Sequence, residues 1–460
     1  MSHIDVFNPF NLEKIGQLPE QSEQEVFEAM EKAYQLIKKP GSQLPLAERL
    51  GILEKTLNIL KPKAEELAQN AAREGGKPLV DSRIEVARGF EGFKLAIEEA
   101  KALAGKEIPM GASPSSAGRF AMTRREPRGL VVAVSAFNHP FNLIVHQVIP
   151  AVAVGCPVLV KPARTTPLSC KAIVDALYEA GLPQDWCRMI ICNNDVAEKM
   201  VKDKRNSFLT FIGSGKVGWS LRSKLPPGAS CALEHGGAAP VIVDASADLD
   251  KAIPLLVKGG YYHAGQVCVS VQRIFVEQSI SKDFCDRLVG SVKELKTGNP
   301  GDPETEVGPL ILPREVDRVA QWVEEAQGAG DLLCGGAKIS DTCYEPSVLL
   351  NPSFDSKVSK QEIFGPVTCV YPYRNIDDAI EQANNVDFAF QAAVFSQDLN
   401  RSFETAKKLE GLTVMINDHT AFRVDWMPFG GYKHSGLGVG GIGYTMRDMT
   451  LEKMIVLNTN

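Results

Sequence analysis

The sequence predicts an α/β fold: a doubly wound parallel sheet, a second α/β region, and a small separate β element. Three observations predict it. From Gly129 to Leu233, short all-apolar runs alternate with segments of helical periodicity, and continuous apolar runs mark strands buried on both faces. The alternation resumes at Val241-Ile242-Val243 and continues to about Val439. A strand-like segment, Arg119 to Arg124, stands among helices and needs a partner elsewhere; the tail Lys453 to Leu457 is strand-like too.

Taken in order, the first 105 or so residues read as helical after a short extended start at Asn8-Pro9-Phe10. Ser22-Glu23-Gln24-Glu25 is an N-cap with an acidic first turn and opens a helix to Lys39. Amphipathic runs follow over Pro45 to Ala72 and Asp81 to Ala104, read as scaffold covering a sheet. Gly111 to Ser116 is a Gly/Ser/Pro loop. Strands are then expected at Leu130 to Val134, Pro157 to Val160, Met189 to Ile191 and Phe208 to Ile212, with helices at Pro140 to Val154 and Leu168 to Ala180. A boundary falls near Glu234 to Gly237, where glycines free the backbone.

At 460 residues the chain exceeds one ordinary core, so two or three domains are expected. Hydrophobic content of 44% and charged content of 23% are those of a soluble globular protein, and a net charge of -6 argues against a nucleic-acid partner. The N-terminal residues show no secretory signal, and no apolar stretch is long enough to span a membrane. Ten cysteines without a C-x-x-C pair predict reduced thiols in a cytoplasm, and seven scattered histidines predict no metal site.

Two stretches carry the chemistry. Leu233-Glu234-His235-Gly236-Gly237 offers a carboxylate beside two glycines, and Gly265-Gln266-Val267-Cys268-Val269-Ser270 offers a thiol thirty-four positions after Glu234. A thiol is a candidate nucleophile and a carboxylate a candidate base; taken singly, each has a plain reading as a buried small side chain or a turn residue. Gly213-Ser214-Gly215-Lys216-Val217-Gly218 matches G-x-G-x-x-G after a strand and before a helix, a pattern that also occurs as a simple glycine turn. Asn138, before His139-Pro140, reads locally as a turn or helix cap.

Together these stretches resemble the aldehyde dehydrogenase superfamily, in family order from Asn8-Pro9 to the C-terminal strand. The family's Glu-x-Gly-Gly implies Glu234 as general base, and its Gly-Gln-x-Cys implies Cys268 as nucleophile. His235 stands where the family usually has Leu, and Ala238-Ala239 where Lys-Ser or Asn-Ala is commoner. Ala136-Phe137-Asn138-His139-Pro140 resembles Pro-Trp-Asn-Phe-Pro, which implies that Asn138 and the Cys268 N–H stabilise an oxyanion. The resemblance implies NAD or NADP held by Phe137, Lys161, Gly213, Ser214, Val217, Glu362 and Phe364; Glu362 lies in a near-literal Glu-Ile-Phe-Gly-Pro. Arg164 replaces the Glu of Lys-Pro-x-Glu, and reads equally as a cofactor contact that admits NADP or as a solvated strand-end residue.

The same resemblance divides the chain into a dinucleotide-binding domain (1–107 and 126–235), a catalytic domain (236–440) and oligomerisation segments (108–125 and 441–460), the tail pairing across subunits of a homodimer or homotetramer. It implies oxidation of a small polar, anionic aldehyde of the lactaldehyde or semialdehyde kind, with His139, His146, Tyr262 and Arg423 on the substrate. Arg423 also reads as a structural partner of Asp425. The rival readings are a CoA-acylating dehydrogenase, against which Glu234 argues, and a non-enzymatic structural protein on the same fold.

Overall fold

Two stacks of parallel strands organise the chain in the computed structural model, which describes residues 2–459. The first is a six-stranded sheet that includes Leu130–Val134, Val158–Lys161, Cys187–Met189, Asn206–Ile212 and Ser230–Glu234. Its side chains alternate between two cores, as the all-apolar runs require. Val131, Ala133, Val158 and Val160 face one core, while Leu130, Val132 and Leu159 face the other. Helix Asn142–Val154 is buried all round, so its apolar composition follows from its position.

The second sheet has seven strands, with Ala239–Val243 near its centre between Val271–Glu277 and Gln391–Phe395. All its neighbouring pairs are parallel except the edge pair Asp331–Cys334 with Ser347–Leu350. The chain does not stay in this half to its end. Gly436–Leu437 returns to the first sheet and pairs antiparallel with Ser230–Glu234.

Two expectations need correction. The start of the chain is a β-hairpin, His3–Phe7 with Lys14–Pro19, rather than a short extended lead. The third strand of the first sheet is Cys187–Met189, two residues before the expected position. The tail strand Thr450–Asn458 pairs antiparallel with Arg119–Pro127 of the same chain, from Thr450 opposite Pro127 to Asn458 opposite Arg119, and its other side is a sheet edge. Helix Glu23–Lys38 begins with the expected capping box: the Ser22 N–H donates to Glu25 at 2.7 Å and the Glu25 N–H donates to Ser22 Oγ at 3.3 Å.

Candidate active site

The C-terminal ends of the first sheet's strands open onto a cleft of about 650 Å³, where a doubly wound sheet places its ligand. Val134 to His139 follow one strand, Phe211 to Ser214 the next, and Glu234 to Gly236 a third. The opposite wall comes from Tyr262, the 266–269 turn, Glu362, Phe364, Arg423 and Phe429.

Cys268 sits in the turn before strand Val271–Glu277. The approach to it is unusual: His263, Ala264 and Gly265 all have left-handed backbone angles, with φ of 51°, 53° and 68°. Two non-glycine residues there cost roughly 1 kcal/mol or more each, so the surrounding packing must hold them. Gly265 cannot be replaced, because a Cβ would lie 2.2 Å from the Gly365 carbonyl oxygen. Gln266 fastens the turn. Its Nε2 donates to the His263 and Pro309 carbonyls at 3.2 and 3.1 Å, and its Oε1 accepts from the Ile311 N–H at 2.9 Å. Asn138 Nδ2 donates to the Gln266 carbonyl at 3.0 Å, which brings the candidate oxyanion donor to the nucleophile turn.

Burial pushes the Cys268 thiol up to about 12, with the Glu362 and Glu234 carboxyls adding to the shift and Arg423 opposing it. Burial also raises the Glu234 carboxyl, again opposed by Arg423. Glu362 is raised by burial to about 8, and its Oε1 finds no hydrogen-bond partner among the described residues. Gly236 makes room for that carboxyl: a Cβ there would lie 1.5 Å from Glu362 Oε1. Phe137 and Phe364 meet edge to face at 5.8 Å.

The G-x-G-x-x-G match resolves into two functions. Gly213 and Ser214 form the turn into helix Gly215–Arg222, and the Ser214 side chain caps nothing. Gly218 instead clears space for His235, whose Cε1 would lie 2.0 Å from an added Cβ. The His235 ring lies between Phe211 and Trp219, at 5.7 and 5.8 Å, with Nδ1 donating to the Gly213 carbonyl at 3.0 Å. The His at the family's Leu position therefore ties the turn to the strand bearing Glu234.

On the remaining wall, Arg423 is nearly buried, its guanidinium 3.5 Å from the Phe429 ring centroid. Its Nε has no hydrogen-bond partner among the described residues and stands 3.9 Å from Asp425. The structural pairing with Asp425 is thus weak. Asp425 is taken by Arg88, at 3.1 and 2.7 Å from Nε and Nη2, by His146 Nε2 at 2.7 Å and by Asn142 Nδ2 at 3.3 Å. Burial opposes ionisation of Asp425, yet these donors hold its carboxyl well below the usual range. Burial lowers His146, so a neutral ring donates from Nε2.

Of the residues singled out in the sequence, Asn138, Cys268, Glu234, Phe137, Gly213, Ser214, Val217, Glu362, Phe364, His139, Tyr262 and Arg423 line the cleft together. Three do not. His146 lies behind the wall on Asp425, so it is not placed as a substrate donor. Lys161 is buried at its strand end. Arg164 turns to Glu20, its Nη1 donating at 2.5 Å, and not into the cleft. Sequence reasoning missed Arg88, the fastening role of Gln266 within its motif, and the pairing of Asp425 with Arg88 and His146. Arg88 and Asp425 lie 337 positions apart, and no local pattern joins them.

A deep cleft at the strand ends of a doubly wound sheet, floored by a thiol and a carboxyl, is the layout of a nicotinamide-dependent oxidoreductase. The chain matches the aldehyde dehydrogenase family over residues 1–455, and it belongs to that family. It is 36% identical to the 3-sulfolactaldehyde dehydrogenase of Priestia aryabhattai over 456 residues, covering 99% of this chain and 95% of that one. It is 37% identical to the lactaldehyde dehydrogenase of Methanocaldococcus jannaschii over 460 residues, covering 99% and 97%. The NADP-complexed glyceraldehyde-3-phosphate dehydrogenase structure from the same organism superposes with a TM-score of 0.93 at 37% identity, covering 99% of both chains. A further solved neighbour is a complex with NAD+.

Proposed function

We propose that the protein oxidises a small polar, anionic aldehyde to its carboxylic acid with NAD+ or NADP+, through a covalent intermediate on Cys268. The observation that carries the reading is the meeting of Cys268, Glu234 and the Asn138 amide in one cleft, with the partnerless Nε of Arg423 beside them.

The cleft residues fit a dinucleotide. Glu362 Oε1 is a buried acceptor in want of a donor, which ribose hydroxyls supply. The start of helix Gly215–Arg222 and the free Ser214 hydroxyl suit phosphate oxygens. Phe137, Phe364 and Val217 give apolar walls, and Lys161 stands by at its strand end. When bound, the nicotinamide supplies the hydride acceptor.

The rest is the work of the chain. At neutral pH Cys268 is a thiol, so it must lose its proton as it attacks the aldehyde carbon. Glu234, whose own affinity for protons is raised by burial, is the acceptor. Asn138 Nδ2 and the Cys268 N–H stabilise the oxyanion, and loss of one such donor costs ~3 kcal/mol. Glu234 then gives the thiol proton up to solvent; after oxidation it takes a proton from the water that attacks the Cys268 thioester, the C–S bond breaks, and the acid leaves with Cys268 restored. Glu234 in this place argues against CoA as the acyl acceptor. Two arginines, 88 and 423, line the cleft; Asp425 is engaged mainly by Arg88, and Arg423, whose polar contacts are long, Nη2 with His146 Nδ1 at 3.5 Å and Nε with Asp425 at 3.9 Å, is the one offered to a sulfonate, phosphate or carboxylate. The sulfolactaldehyde and glyceraldehyde-3-phosphate relatives act on aldehydes bearing such groups.

The test is an aldehyde panel with each nicotinamide, followed at the reduced-cofactor absorbance, with and without CoA. An acyl-CoA product, or a preference for long alkyl aldehydes, defeats the reading. We also read the chain as a homo-oligomer in the cytoplasm, divided near Glu234. The strand Thr450–Asn458 is a sheet edge whose Leu451, Met454, Val456 and Leu457 are exposed. A monomer in dilute sedimentation removes that assembly.

A further inference from the structure

We propose that helix Leu79–Ala102 is a positioning element of the active site, and that Glu85 within it holds Asn138 against the nucleophile turn. The inference rests on the reading of Asn138 as an oxyanion donor. By sequence the helix is scaffold, and its charged residues belong on a solvent face. The structure does the opposite with three of them. Asp81, Glu85 and Arg88 fall at i, i+4 and i+7, on one stripe of the helix. Each reaches a different segment around the cleft. Asp81 accepts from Lys258 at 2.5 Å, on the helix Leu249–Tyr261 that runs into the nucleophile turn. Arg88 grips Asp425 of the Arg423 loop.

Glu85 is the middle of the three and acts most directly. Helix Asn142–Val154 has Phe141 at its N-cap, a side chain that cannot satisfy the first-turn amides. Glu85 does so from another helix: its Oε1 accepts from the Phe141 and Asn142 N–H groups at 2.8 and 2.9 Å. Its Oε2 receives Lys77 Nζ at 2.5 Å, and both side chains are essentially inaccessible, at 2% and 1%. The two capped amides follow Asn138 by three and four residues. A line of contacts therefore runs from Lys77 and Glu85 through the helix start to Asn138, the Gln266 carbonyl and Cys268.

Stability alone does not call for this arrangement. A buried ion pair loses in desolvation much of what it gains in attraction, and an apolar pair of similar volume folds as well. What an apolar pair cannot do is fix two amides at the start of the helix behind Asn138.

The experiment is a double-mutant cycle on the burst rate of reduced cofactor. Glu85→Asp keeps the charge for Lys77 and withdraws the acceptor from the amides. We expect a burst rate lowered by ~10-fold, while alkylation of Cys268 by iodoacetamide, which needs no oxyanion donor, changes less than ~2-fold. Asn138→Ala alone should cost ~100-fold, and adding Glu85→Asp to it should cost less than ~2-fold more, because the positioned group is already gone. If Glu85→Asp does not fold, Lys77→Met/Glu85→Met replaces it in the same cycle. Additive losses, with Asn138→Ala harmful, overturn the positioning of Asn138 and leave the oxyanion reading standing. A harmless Asn138→Ala overturns both.

Discussion

On the wall that carries Arg88 and Arg423, one carboxylate gathers most of the donors: Asp425 receives Arg88 twice, His146 and Asn142. On the wall that carries Ser214, His235 and Glu362, polar atoms stand without partners among the described residues: Glu362 Oε1, His235 Nε2 and an N-cap serine whose side chain makes no capping bond. The first wall is largely satisfied by the protein's own groups, so its geometry is mostly fixed by the protein. The second is complete only when a donor-rich molecule enters. The difference suits the proposed reaction, in which a small substrate is aimed at Cys268 while a large cofactor binds and leaves. Two atoms on the first wall are exceptions among the described residues, Asn142 Oδ1 and Arg423 Nε, and the proposed reading gives the second to the substrate's charge.

The largest effect is expected where the two walls meet. Cys268→Ala should lower dehydrogenase turnover by ~10³-fold or more, since no second thiol among the described residues lines the cleft. Glu234→Gln should leave a burst of reduced cofactor above a slowed steady state, because a base is still needed for water after the first turnover. Near wild-type turnover in Cys268→Ala would end the covalent reading.

Next comes the exception at Arg423. Arg423→Ala should raise KM for a sulfonated or phosphorylated aldehyde by ~10- to 100-fold while changing propanal much less, since a charge-pairing site loses the charge specifically. Equal losses for both aldehydes would make Arg423 part of the wall's own packing on Phe429.

How much of this was legible in the sequence depends on separation along the chain. The capping box at Ser22 and the all-apolar strands follow local rules, and the structure keeps them. Glu234, Cys268 and Asn138 were singled out because the short motifs around them resemble those of a known family, and the structure brings all three to one cleft. The N-terminal hairpin was missed because Lys14–Pro19 buries little in strict alternation. The Asp81, Glu85 and Arg88 stripe was missed for a stronger reason. Charges spaced along a helix read as a wet face, and only the distant partners Lys258, Phe141 and Asp425 make it a dry one.

The unfinished wall should show itself in the pH dependence of stability without cofactor. Glu362 is raised by burial from its usual 4.5 to about 8. Between those values the folded state holds a proton that the unfolded state has lost, so stability falls as pH rises through the window. Glu362→Gln should remove that part of the slope, on the order of a few kcal/mol between pH 5 and 8. Glu74, buried and raised to about 7, keeps a residual slope of the same sign. Asp425 on the first wall contributes nothing in this range, because its carboxyl is held ionised far below it. Urea melts at several pH values decide the matter, and an unchanged slope in Glu362→Gln would mean that the carboxyl is already partnered.

The smallest effect lies at the outer end of the unfinished wall, between Ala163 and Thr165, which both line the cleft. Arg164 between them is about half exposed and donates to Glu20 at the end of the N-terminal hairpin. The Glu20 carboxyl is lowered, chiefly by that hydrogen bond. Read from the sequence alone, Arg164 is equally a contact that admits a 2′-phosphate or a solvated strand-end residue; with Glu20 in place, part of its charge is already engaged. An exposed ion pair of this kind contributes at most ~1 kcal/mol, so competition by a dianionic phosphate can displace it. Both nicotinamides should therefore be used. Glu20→Gln should raise kcat/KM for NADP relative to NAD by a factor of roughly 3 to 5, the size of one released surface pair. Arg164→Glu should move the ratio the other way, by like-charge repulsion, leaving NAD within about twofold. Binding of 2′-AMP against 5′-AMP, measured by calorimetry, checks the same contrast without turnover. If neither variant moves the ratio in either assay, Arg164 serves the hairpin and not the cofactor.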